Sequence, residues 1–124
     1  GTPDMKLPIQ YALFYPDRRP MAGKRVDLFD LAQITFEKPD TDTFTGLALA
    51  YEAAKTGGSM PTVYNAANER AVALFLDRKI SYLQIPELIG KAMEQHKVTA
   101  EPTVEQILEA EAETYEYISG RMKL

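Results

Sequence analysis

Proline divides this chain into two unlike parts. Five of its eight prolines (Pro3, Pro8, Pro16, Pro20 and Pro39) fall within the first 39 residues. Each ring holds φ near −65° and removes a backbone donor, so no long regular element can run through that stretch. The other three (Pro61, Pro86 and Pro102) stand in first turns or in a linker, where a missing N–H is tolerated. A helical pattern is therefore free to develop from residue 40 onward, and it does.

In the leader, Pro8 can open a short helix with Ile9, Ala12 and Leu13 on one face, and Pro16 stops it. Asp17 to Pro20 reads as an exposed turn. Gln33 to Glu37 alternates polar and apolar residues and predicts a short β-strand, which needs a partner to be stable. Four helices follow. Asp40 caps the first, through Thr56, with Phe44, Leu47, Ala48, Tyr51 and Ala54 on its stripe and Gly57-Gly58 closing it. Ser59 caps the second, with a stripe of Val63 or Tyr64, Ala67, Ala71, Phe75 and Leu76. The third runs from Gln84 to His96 and carries Ile85, Leu88, Ile89, Ala92 and Met93. The fourth opens on a capping box, Thr103-Val-Glu-Gln106, and ends at Gly120. Its apolar residues are Val104, Ile107, Leu108, Tyr115 and Ile118. Its acids, Glu105, Glu109, Glu113 and Glu116, fall on the wet face. The expected fold is mainly α. A C-terminal four-helix bundle-like domain spans 40–124, after an irregular segment, 1–39, with a short helix and one short β-strand.

Composition narrows the functional classes. A net charge of −4 argues against a nucleic-acid binder, which would show a basic face. Cysteine is absent, which removes disulfides, thiolate metal sites and cysteine nucleophiles. No apolar run approaches the roughly 20 residues a membrane helix needs. The abrupt opening at Gly1 reads as a piece of a larger enzyme.

Chemistry-bearing residues are few. His96 sits near a helix C-terminus, where positive charge is favourable, and reads as structural. Gly57-Gly58-Ser59 ahead of a helix could hold an anion, or serve as a C-cap followed by an N-cap. Asn65, Asn68 and Glu69 are unusual early in a helix, because asparagine competes for backbone hydrogen bonds. They read as caps and polar contacts, with ligand contact as the alternative. Pro3 and Met5 form a small apolar corner ahead of a helix.

Four strings carry a family likeness: Gly1-Thr-Pro-Asp-Met5, Leu7-Pro-Ile-Gln-Tyr-Ala12, Ile34-Thr-Phe-Glu-Lys-Pro-Asp40 and Asn65-Ala-Ala-Asn-Glu69. Together, and in this order, they resemble the C-terminal third of the 1-deoxy-D-xylulose 5-phosphate reductoisomerases. The resemblance implies a three-part enzyme that uses NADPH and a divalent cation, Mg or Mn. It would convert 1-deoxy-D-xylulose 5-phosphate to 2-C-methyl-D-erythritol 4-phosphate in non-mevalonate isoprenoid biosynthesis. Residues 1–39 would be the tail of the central catalytic domain with linker and strand, and 40–124 the helical C-terminal domain. Pro3 and Met5 would line the substrate and nicotinamide pocket. No residue here would be catalytic or bind the metal, because the family's acids and phosphate-binding residues precede this stretch. The fragment would be inactive alone, with neither NADPH nor the cation bound to it. Its partner would be the remainder of its own chain in a homodimer, with no nucleic acid or membrane, in a bacterial cytoplasm or a plastid. Two other readings stand beside this one. One is a free-standing helical interaction module. The other is a small enzyme built on Asn65, Asn68 and His96.

Overall fold

Helical propensity governs every regular element in the computed structural model, which describes residues 4–23 and 25–121. Among the described residues there are six helices: α1 Lys6–Phe14, α2 Leu28–Leu31, α3 Thr45–Thr56, α4 Met60–Leu76, α5 Gln84–Gln95 and α6 Val104–Arg121. The chain divides into two units, Gly1–Lys38 and Pro39–Leu124.

In the first unit, α1 ends at Phe14, two residues before Pro16. Pro16 has no N–H to extend it. The unit is tied by local contacts. Arg18 lies over the Tyr11 ring at 4.5 Å, Arg19 over the Phe14 ring at 4.3 Å, and the Gln10 amide donates to the Pro20 carbonyl at 3.3 Å. The short α2 was not expected. Asp27 makes it by accepting from the N–H groups of Phe29 and Asp30. The predicted strand at 33–37 is absent. Those residues run without a ladder partner, since no strand exists among the described residues, and their backbone stays exposed.

The second unit is built around α4, which packs on α3, α5 and α6. Its inward stripe is Val63, Ala67, Ala71 and Leu74, at 5% exposure or less. The alanines let neighbouring backbones approach, as their spacing implied. The stripe closes on Leu74, however, while Phe75 and Leu76 point outward at 36% and 72% exposure. Phe75 instead meets Tyr82 edge-on, with ring centroids 6.0 Å apart. A Schellman-like closure ends the helix: Lys79 N–H bonds Leu74 C=O, Arg78 N–H bonds Phe75 C=O, and Arg78 takes φ +58°.

Helix α3 departs further from expectation. Asp40 caps a turn, accepting from Thr43 N–H at 3.0 Å, and the helix begins only at Thr45. The Thr43 N–H holds the Asp40 carboxyl below the usual carboxylate range. The expected stripe of Phe44, Leu47, Ala48, Tyr51 and Ala54 lies outward. Ala53 is buried in its place, and Leu49 packs on the core. The helix is apolar on nearly every side, so periodicity cannot choose the buried face. Close approach chooses it: Gly46 faces Pro86, and Leu49 lies over Gly90 of α5. Helix α5 buries Leu88, Ile89, Ala92 and Met93 as its pattern requires.

The capping box opens α6 as predicted. Gln106 N–H donates to Thr103 Oγ1 at 3.3 Å, and Thr103 N–H to Gln106 Oε1 at 2.9 Å. The helix buries Ala110, Thr114 and Ile118. Val104 and Leu108 remain 67% and 58% exposed, against the expected stripe. They sit on the first turns, turned away from the seam that Ala110 begins. The buried Thr114 hydroxyl is satisfied by donating to the Ala110 carbonyl at 2.7 Å.

Candidate functional site

Met5, one of the two residues singled out as pocket wall, stands at the entry to α1. Its backbone is helical (φ −76°, ψ −11°), and its carbonyl accepts the Ile9 N–H at 3.0 Å. Its side chain is 68% exposed in this structure. The other, Pro3, lies outside the described residues.

The second unit contains a polar cavity of about 240 Å³ where α4 begins and α5 ends. It is lined by Ser59, His96, Lys97, Thr99, Gln106, Glu109, Ala110 and Glu113. At its floor, Ser59 Oγ lies 2.7 Å from His96 Nε2 and accepts the Thr99 N–H at 3.0 Å. Ser59 occupies the cap position of α4, yet its side chain makes no capping bond. It serves instead as a junction between the helix start and the 96–100 segment. A serine beside a histidine suggests a nucleophile and its base, but Ser59 is 1% exposed and cannot meet a substrate there. The glycines before it have a defined task. Gly57 and Gly58 take φ +68° and +56°, and a Cβ on Gly58 would collide with the Thr99 carbonyl oxygen. That carbonyl accepts the Ser59 N–H at 3.0 Å, so the chain itself fills the place an anion would take.

The unusual Asn65-to-Glu69 string disperses. Asn65 is exposed. Asn68 lines a different groove, about 350 Å³ and mostly apolar, with Phe44, Tyr64, Tyr82 and Pro86 among its walls. Glu69 tethers α4 to α6 by accepting the Tyr115 hydroxyl at 2.8 Å. Glu111 accepts from the same hydroxyl at 3.3 Å. The hydrogen bond to Glu69, reinforced by burial and by the two carboxylate charges, pushes the Tyr115 hydroxyl up to about 12. Asn68 and His96 thus line different cavities, and nothing in the described geometry favours an enzyme built on Asn65, Asn68 and His96. Sequence reading missed the Ser59–His96 and Glu69–Tyr115 links. The partners stand 37 and 46 residues apart, and no local pattern announces them.

Among the described residues, no three His, Asp or Glu groups converge to hold an ion. No described helix is long and apolar enough to cross a membrane.

Comparison with known proteins supplies the context for these features. The family model of the DXP reductoisomerase C-terminal domain matches residues 1–117. The 1-deoxy-D-xylulose 5-phosphate reductoisomerase of Lachnoclostridium phytofermentans is 63% identical over 119 residues, which are 95% of this chain and 31% of that protein. That of Agathobacter rectalis is 57% identical over 121 residues, 98% of this chain and 32% of that protein. The solved reductoisomerase of Zymomonas mobilis, in complex with NADPH, superposes with a TM-score of 0.87 at 38% identity. The match covers 100% of this chain and 33% of that one. A reductoisomerase solved with NADPH, fosmidomycin and magnesium gives 0.87 at 33% identity, again covering 100% and 33%. The chain thus spans about a third of the length of the curated relatives it matches.

Proposed function

Because the chain belongs to the 1-deoxy-D-xylulose 5-phosphate reductoisomerase family, through its C-terminal domain, we propose that it serves as one part of an NADPH- and divalent-metal-dependent reductoisomerase. The full-length protein would convert 1-deoxy-D-xylulose 5-phosphate to 2-C-methyl-D-erythritol 4-phosphate, as a homodimer in the bacterial cytoplasm. The observation that carries this reading is the match of the whole of this chain to a third of a solved reductoisomerase, at 38% identity and a TM-score of 0.87.

The division of labour follows from the resemblance, in which the metal-binding acids and the nicotinamide fold precede this stretch; among the described residues no three His, Asp or Glu groups converge to hold an ion. Residues 1–39 are read as the tail of the catalytic domain with its linker, and 40–124 as a helical buttress. Pro3 and Met5 are assigned to the apolar wall of the substrate and nicotinamide pocket. A thioether there can pack against a flat ring and keep water out, adapting through three rotatable bonds. The test compares the full-length protein with residues 1–124 alone. Each is incubated with substrate, NADPH and magnesium, and NADPH oxidation is followed. The full-length protein should turn over and the isolated segment should not. Substrate-dependent oxidation by the segment itself would overturn the assignment.

A further inference from the structure

We infer that Asp4 is a positioning residue for Met5: its carboxylate locks the backbone turn from which the Met5 side chain projects. The inference rests on the pocket-wall assignment of Met5. Helix α1 buries none of its residues, and Met5 is 68% exposed, so among the described residues of its unit no packing contact buries the thioether. What this stretch contributes to its direction is backbone geometry. On one side, the Met5 carbonyl is held by the Ile9 N–H at 3.0 Å. On the other, Asp4 Oδ1 accepts the Lys6 N–H at 2.8 Å. Met5 lies between these two bonds, with its own torsions bracketed by both.

The chemistry of the helix start makes the second bond matter. The first amides of a helix have no partner within it. Methionine at the cap position offers no oxygen, and no side-chain capping bond is made there. Pro8 contributes no N–H. Capping therefore falls to the residue before Met5, and aspartate is suited to it, since its short side chain reaches the amide two residues on. Charge plays a minor part. The Lys6 ammonium stands 4.0 Å from the other carboxylate oxygen, in an exposed pair of little energetic weight. The acceptor oxygen is the working element, and asparagine carries the same oxygen in the same place.

Four variants of the full-length reductoisomerase test this: Met5→Ala, Asp4→Ala, Asp4→Asn and the double alanine variant, each measured for kcat, KM and Tm. A displacement of about 1 Å in a positioned group can cost about a hundredfold in rate. Met5→Ala should approach that loss, and Asp4→Ala should lose roughly tenfold in kcat as the turn loosens without leaving its position altogether. Asp4→Asn should restore kcat to near wild type. The double variant should be no slower than Met5→Ala, because Asp4 acts only through Met5. Tm should be unchanged throughout. Met5→Ala impaired with Asp4→Ala at wild-type kcat would overturn the positioning role and leave the pocket wall standing. An inactive Asp4→Asn would overturn it too, by showing that the charge itself is needed. Wild-type kinetics in Met5→Ala would remove the pocket wall and the inference together.

Discussion

The two units are held together by different physics. Residues 39–124 bury a continuous seam, in which Ala67, Ala71 and Ile118 are inaccessible to solvent. Among the described residues of 1–38 none is buried, while Phe29 and Phe36 are 95% and 91% exposed. The first unit relies on caps, turns and guanidinium–ring contacts, each worth about 1 kcal/mol or less at an exposed site. Local bonds of that size can choose a conformation, but they cannot offset the entropy of ordering a chain. Apolar burial can, at roughly 25 cal/mol per Å². One region is thus a folding unit, and the other takes its shape from a few polar contacts in sequence order.

The largest test of that contrast is to separate the regions. A polypeptide of residues 39–124 should melt cooperatively by circular dichroism, and one of residues 1–38 should show no transition. A cooperative melt in the shorter piece would erase the distinction. Within the second unit, Ile118→Ala should lower stability by about 2–5 kcal/mol in urea titration, from lost transfer energy and the cavity left behind. Phe75→Ala should cost clearly less, since the ring is 36% exposed and meets mainly Tyr82. Equal shifts would mean that the seam does not end at Leu74.

A smaller loss is expected from Ser59→Ala. The variant leaves the Thr99 amide and the His96 ring without their common partner, at a cost of about 1–3 kcal/mol. Hydrogen exchange at the Thr99 amide should quicken in parallel, and unchanged exchange would remove Ser59 as the junction. The smallest effect concerns alkaline pH. Tyr115 is raised in the folded protein from its ordinary value of 10 to about 12. Its contribution is therefore whole below about pH 10 and is lost as pH climbs through about 12. In Tyr115→Phe that alkaline decline should flatten, as read from denaturation midpoints across the same range.

Much of the helical framework was legible because its signals are local. Pro16 halts α1, Gly57-Gly58 separates α3 from α4, and the Thr103–Gln106 box starts α6, each acting within a few residues. Prediction failed where one helix must choose among apolar faces. In α3 the larger residues Phe44 and Tyr51 were expected inside, and the smaller Ala53 is buried instead. The strand at 33–37 failed for a related reason, since alternation specifies a strand only when a partner exists to receive its hydrogen bonds. Of the candidate site, the assignment of Met5 and Pro3 rests on resemblance alone. Asp4 was legible in neither way, because its role depends on which amide its oxygen reaches.

By itself, the sequence determined most helix boundaries, though not α2 or the start of α3, together with the absence of thiol chemistry and the family through four short strings. These properties depend on neighbours along the chain or on composition. Tertiary structure alone decided which face of α3 is buried, that α4 closes on Leu74 rather than Phe75, that Ser59 turns from its own helix to His96, and that Glu69 receives the Tyr115 hydroxyl. Those outcomes depend on how closely two backbones can approach and on which polar group lies opposite. Both are set only when residues 37 or 46 positions apart are brought together by packing.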